Sequence, residues 1–148
     1  MKNTIFSILI ILVFLPLTII AADSKGDITV KINNCHNDKG EVLVTLYKSK
    51  DGFPEEPEKA YKKITGKIKD GKSDIVFSDI TYGEYAISIL HDENGNGKMD
   101  KNMIGIPKEG SGASNNPESF GPPKYKDAKF ILNSQGSTID IKMKYLGE

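Results

Sequence analysis

The stretch Gly83-Glu84-Tyr85-Ala86-Ile87-Ser88-Ile89-Leu90-His91-Asp92 decides the fold. Tyr85, Ile87 and Ile89 alternate with Ala86, Ser88 and Leu90, a period-two pattern that argues a half-buried antiparallel strand. The pattern recurs on both sides of it. Ile28, Val30 and Ile32 interleave with Thr29 and Lys31, and Val42, Val44 and Leu46 with Leu43, Thr45 and Tyr47. Near the C-terminus Ile139, Ile141, Met143 and Tyr145 interleave with Asp140, Lys142 and Lys144. Shorter runs at 60–67, 73–77 and 128–132 bring the expected total to about seven strands.

Turn-forming residues fall between these runs: Asn37-Asp38-Lys39-Gly40, Asp70-Gly71, Tyr82-Gly83 and Ser134-Gln135-Gly136. No window after residue 22 carries helical periodicity. The expected fold class is therefore all-β: an antiparallel β-sandwich of about seven strands, immunoglobulin-like or transthyretin (prealbumin)-like.

Composition narrows the function. The 148 residues carry no net charge, since 20 basic residues balance 20 acidic ones. Every basic residue is Lys, so the bidentate guanidinium fork that reads phosphates and guanines is missing. Nucleic acid is not an expected partner. The single cysteine, Cys35, excludes an intrachain disulfide and a CxxC redox pair. Flanked by Asn33, Asn34 and His36, it reads as an ordinary, partly exposed thiol.

Residues 1–22 read as a targeting segment. Met1-Lys2-Asn3 is basic, Thr4 to Ile20 is apolar apart from Ser7, Pro16 and Thr18, and Ala21-Ala22 are small. That order reads as a secretory signal peptide cleaved near Ala21 or Ala22, with a retained transmembrane anchor as the rival reading. The apolar run falls short of the roughly 20 residues a spanning helix needs, so no membrane span is expected after cleavage. The expected product is one domain, 23–148, secreted or periplasmic in the cell envelope, and monomeric.

One long segment, 91–127, breaks the strand pattern. Glycines at 95, 97, 105, 110, 112 and 121 and prolines at 107, 117, 122 and 123 punctuate it. Hydrophobic residues within it are spaced to pin it down, so it reads as an ordered loop of the kind that carries function. It opens with Asp92, Asn94 and Asn96 at alternate positions, then Gly97, and Asp100 three residues on. This D-x-N-x-N-G-x-x-D spacing curls successive side-chain oxygens toward a common centre, as calcium requires. Asp92, Asn94, Asn96 and Asp100 are candidate side-chain ligands, and Lys98 offers its carbonyl. The twelfth position is Met103 rather than a bidentate Glu, so another group must close the site. Glu109, Glu93 and carbonyls near Met103 are candidates. The expected affinity is in the extracellular range, about 10⁻⁴ to 10⁻³ M. A metal-free Asn/Gly/Asp turn is the competing reading. Zinc at His91 would need His and carboxylates converging on three or four short bonds, and His36 is the one other His in the sequence.

Residues G-E-Y-A-I-S-I-L-H-D-E-N-G-N-G-K-M-D-K-N-M-I-G-I-P-K-E-G (83–110), S-N-N (114–116) and G-P-P-K-Y-K-D-A-K-F (121–130) closely resemble the bacterial family called domain of unknown function 2141. The resemblance extends over about residues 27–146. It implies a small, exported, all-β domain with a prealbumin-like sandwich and no established function. The 92–100 loop is also similar to the calcium loops of bacterial adhesin repeat domains, with Asn96 where those loops often carry Asp.

The expected function is a calcium-braced loop presented for binding a glycan, a peptide or another envelope protein. His91, Asn115, Asn116, Phe120 and Tyr125 are its expected ligand contacts. An envelope hydrolase using His91 with Asp92 or Glu109 is the second reading, although no nucleophile stands in a recognisable elbow. A structural envelope domain without metal is the third.

Overall fold

The computed structural model describes residues 24–118 and 121–146. The expected targeting segment and Phe120 lie outside them. Eight strands form among the described residues: β1 (Lys25–Asn33), β2 (Glu41–Tyr47), β3 (Lys62–Lys67), β4 (Ser73–Thr81), β5 (Gly83–Asp92), β6 (Gly110–Ala113), β7 (Phe130–Leu132) and β8 (Ser137–Lys142). A one-turn helix, α1 (Tyr125–Ala128), precedes β7. No described helix is long and apolar enough to cross a membrane.

The strands make two sheets. One has the order β4-β1-β8; the other runs β3-β2-β5-β6, with β7 also paired to β5. The alternation read from sequence is what packs them. Ile28, Val30 and Ile32 of β1 face Val42, Val44 and Leu46 of β2 and Tyr85, Ile87 and Ile89 of β5 in one core. Phe77, Ile80, Ile141 and Met143 complete it, and all four are essentially without solvent exposure. Burying a side chain of this size is worth about 1.5–3 kcal/mol.

Two features depart from the expected pattern. β8 runs parallel to β1, pairing Val30 with Ile139 and Ile32 with Ile141, in a sandwich otherwise built from antiparallel pairs. β6, inside the 91–127 segment, is an additional strand. Its sequence, Gly-Ser-Gly-Ala, has no hydrophobic alternation, and packing explains why. A Cβ on Gly110 would sit 2.3 Å from the Tyr145 ring, and one on Gly112 would sit 2.8 Å from Ile141. Small residues let this strand lie against β8 and the residues after it, where Ser111 and Lys144 exchange backbone hydrogen bonds of 2.9 and 2.8 Å.

β1 and β4 carry a bulge where Gly26 pairs with Ile80 but Ile28 pairs with Phe77. The Asp79 N–H donates to Asp27 Oδ1 at 3.3 Å across it. The turn between β3 and β4 is held from outside. Asp70 and Gly71 both take positive φ, and their N–H groups donate to Asp38 at 2.9 and 2.8 Å.

The hydrogen bonds from Gly71 and Asp70 hold the Asp38 carboxyl below its ordinary range. A depressed carboxylate stabilises the fold above its unfolded pKa, and that contribution is lost as pH falls through the folded value. Asp38→Asn should therefore lower stability near neutral pH and converge on the unsubstituted protein in acid, flattening the acid limb of the stability–pH curve. Urea unfolding of both proteins between pH 3 and pH 7 measures it.

Candidate functional site

The 91–127 segment leaves the sheet at the end of β5. Strand alternation sends His91 inward, in register with Val42, and Asp92 the other way, in register with Glu41. Asp92 then organises the curl that follows. Its Oδ1 accepts the N–H groups of Gly95 and Asn96 at 2.8 and 3.1 Å, and its Oδ2 accepts that of Gly97 at 2.7 Å. Gly95 and Gly97 take φ of 74° and 75°, left-handed values that suit glycine. Asn94 Oδ1 accepts from the Asn96 N–H at 3.0 Å, and Asn96 Oδ1 from the Lys98 N–H at 2.8 Å. Their amide nitrogens both donate to Asp100.

Glu109 closes the curl. Its Oε1 accepts the Glu93 N–H and its Oε2 the Asp100 N–H, each at 3.0 Å, so one carboxylate holds both ends of the loop. Asp92 and Glu109 are buried, at 3% and 5% exposure. The structure thus brings Asp92, Asn94, Asn96, Asp100 and Glu109 into one loop, with the Lys98 backbone on its rim.

The donor set suits a hard cation. Each Glu109 oxygen and Asp92 Oδ2 accept one N–H apiece and keep a second lone pair. Asp92, Asp100 and Glu109 do not, however, form a group of three carboxylates within ligand distance of one another. An ion here would replace the Asn94 and Asn96 amide contacts to Asp100, turning those side chains to present oxygen.

The rest of the segment folds back over the outer face of the β2–β5–β6 sheet. With the 51–59 loop it walls a groove of about 770 Å³. Leu43, Leu90 and Ala113 lie along the floor, with Pro54, Met99 and Pro107 in the walls. An ion pair of 3.5 Å between Lys101 and Glu55 links the walls. The 51–59 loop is anchored by its Pro54 carbonyl, which accepts from Ser88 Oγ at 3.0 Å and Tyr47 Oη at 3.3 Å. Phe53 packs edge-on against Tyr47 and Tyr125, above Ala86, Ala113 and Ala128.

Several residues expected to contact a ligand are spent within the fold. His91 is fully buried; Nε2 lies 2.8 Å from the Lys39 carbonyl and Nδ1 2.7 Å from the Tyr145 hydroxyl. Asn115 Nδ2 donates to the Asp127 and Lys129 carbonyls. Asn116 borders the groove, but its amide pairs with the Asp140 carbonyl and the Lys142 N–H on the edge of β8. Both asparagines take positive φ. Tyr125 is a packing residue beneath the loop. Cys35 is buried rather than partly exposed, and burial, then the charge of Asp38, pushes its thiol up despite a hydrogen bond with Tyr145. A thiol so placed is a poor nucleophile.

One constellation was not legible as a site. His36 Nε2 meets Glu93 Oε1 at 2.7 Å, and the His36 ring stacks on Tyr145 with centroids 3.9 Å apart. His91 stands edge-on to both rings. Burial raises the Glu93 carboxyl, but hydrogen bonds from Asn37 and His36 and the charges of both histidines together bring it below its ordinary value. No sequence spacing links residue 36 to residues 91–93; the pairing of β2 with β5 brings them together.

These elements define an all-β sandwich with an ordered, carboxylate-closed loop beside a groove. The chain belongs to the bacterial family described as an uncharacterized protein conserved in bacteria (DUF2141), whose model matches residues 30–140. Comparison with curated proteins and with solved structures gives no match.

Tyr125 Oη is buried without a hydrogen-bond partner among the described residues, and burial, then Glu84, raises its pKa. An unsatisfied buried hydroxyl costs about 1–3 kcal/mol. Tyr125→Phe should therefore be neutral or stabilising by about 1 kcal/mol. A thermal melt that shows a clear loss would place a polar partner at that hydroxyl.

Proposed function

We propose that this protein is an exported binding domain whose 92–100 loop holds calcium, and that calcium braces the groove wall formed by the 91–127 segment. The observation that carries the reading is the buried pair Asp92 and Glu109. Two carboxylates taken out of water must be compensated. Here backbone N–H groups compensate them in part, and the lone pairs they retain suit a cation. Asp100 and the Asn94 and Asn96 oxygens complete a hard-oxygen set, with the Lys98 carbonyl as a backbone donor.

The groove's aliphatic floor and proline-lined walls suit apolar side chains of a peptide or of an envelope protein segment. A few convergent polar groups at the rim, Lys98 and Lys101 among them, would orient it. Among the described residues no aromatic ring lines the groove as a sugar-stacking platform, which favours a peptide over a glycan. His91, buried with both ring nitrogens engaged, is poorly placed for the acid/base role that a hydrolase would require.

Calcium that binds only the folded state adds RT ln(1 + [L]/Kd), about 2.7 kcal/mol at a hundredfold excess over Kd. The thermal midpoint of residues 23–148 should therefore rise by several degrees in excess calcium relative to chelator. Asp100→Ala should abolish the difference, since it removes a ligand while leaving the Asp92 and Glu109 bonds to neighbouring backbone. Equal midpoints in calcium and chelator would overturn the reading.

A further inference from the structure

We propose a second metal site, distinct from the calcium loop, in which His36, His91 and Glu93 bind one zinc ion. Their ligand atoms lie within 4.8 Å of one another, and they are the group of three such residues among those described. Two imidazoles and a carboxylate are a donor set zinc takes readily, with bonds of about 2.0–2.2 Å. Tetrahedral zinc with such bonds holds its ligand atoms about 3.3 Å apart. His36 and Glu93, now 2.7 Å apart, need only open slightly to admit it. Their side chains are 26% and 24% exposed, so an ion can enter from solvent and a water can supply a fourth ligand.

The surrounding hydrogen bonds are the stronger argument. A ligating histidine typically fixes its ring by donating the other N–H to a carbonyl or carboxylate. His91 does this. The Lys39 carbonyl can only accept, so Nε2 carries the hydrogen. In the neutral ring Nδ1 then holds the lone pair, directed to the Tyr145 hydroxyl in the midst of the cluster. Glu93 has the matching support: while Oε1 faces His36, Oε2 accepts from Asn37 Nδ2 at 3.0 Å. Tyr145 stacks on the His36 ring and accepts the His36 backbone N–H at 3.2 Å, so the stacking sets that ring's plane. Each would-be ligand is thus aimed by a neighbour that is not itself a ligand. Zinc would take the place of the hydrogen between His36 Nε2 and Glu93, with the His36 proton carried on Nδ1. His91 would release the Tyr145 hydroxyl to bind the ion. The bound ion would cross-link the 34–40 turn to the end of β5, beside the base of the long loop.

Calorimetric titration of metal-free residues 23–148 with zinc, in saturating calcium near neutral pH, tests the site. One zinc ion per chain should bind. His36→Ala and Glu93→Gln should each weaken it by about tenfold or more. Both residues are partly exposed, and a melt of each variant checks that it folds. Asp100→Ala, which lies in the calcium loop, should leave zinc affinity unchanged. Absence of zinc binding, or equal affinity in the parent and in folded His36→Ala, would overturn the proposal and leave the cluster as a hydrogen-bond network. Loss of zinc binding in Asp100→Ala would instead place the ion in the loop, and would overturn it too.

Discussion

Strand β5 has to satisfy its backbone on both edges while burying both faces. Its length exceeds that of any one partner, so three strands share it. β2 pairs along residues 86–92, β7 takes residues 83–85 and β6 takes residues 88–91 on the other edge. Unpaired backbone groups at such a depth would each cost on the order of a lost hydrogen bond. This explains why the long segment leaves β5 at Asp92, returns to it as β6, and returns again as β7. Ser114 serves the same need between the two returns: the Ile87 N–H donates to its Oγ at 2.9 Å, and that hydroxyl in turn donates to the Ala128 carbonyl. The excursion is a sheet edge completed in two pieces, and the stretches before β6 and between β6 and β7 both contribute to the groove wall.

The strands that alternate were legible because alternation is the physical consequence of one buried face. Ile28, Val30 and Ile32 could not be solvated on both sides and still be the residues they are. What escaped the sequence was set by partners far along the chain. β6 carries Gly110 and Gly112 because Tyr145 and Ile141 occupy the space a side chain would need, and nothing near residue 110 reports that. The parallel β1–β8 pair is equally invisible, since a strand's own pattern does not state its neighbour's direction. Asn115 and Asn116 look like surface contacts in a Gly-rich run. Their left-handed backbone and their amides, bonded to carbonyls of distant segments, make them fasteners of the loop instead.

The candidate site divides along the same line. That Asp92, Asn94, Asn96 and Asp100 share one loop was legible because a curled turn sets its oxygen-bearing side chains at fixed local spacing. Glu109, offered by sequence only as one of several closing groups, proves to hold both ends of the curl, a role fixed by the return of the chain as β6. His36 and Glu93 had no local spacing to announce them. Their meeting depends on the register of β2 against β5, which places Val42 opposite His91 and so carries the preceding turn beside Glu93.

Period-two alternation then continues to matter past the end of the strand. Consecutive residues are sent to opposite sides, so His91 enters the interior toward Tyr145 and Asp92 enters the curl. Glu93 follows His91 back toward His36. Three adjacent residues therefore serve two different environments: a nitrogen-rich one roofed by an aromatic ring, and an oxygen-rich one lined by backbone amides. Soft and borderline metals prefer the first kind of surroundings and hard cations the second. The backbone hydrogen bond from Glu93 N–H to Glu109 joins the two.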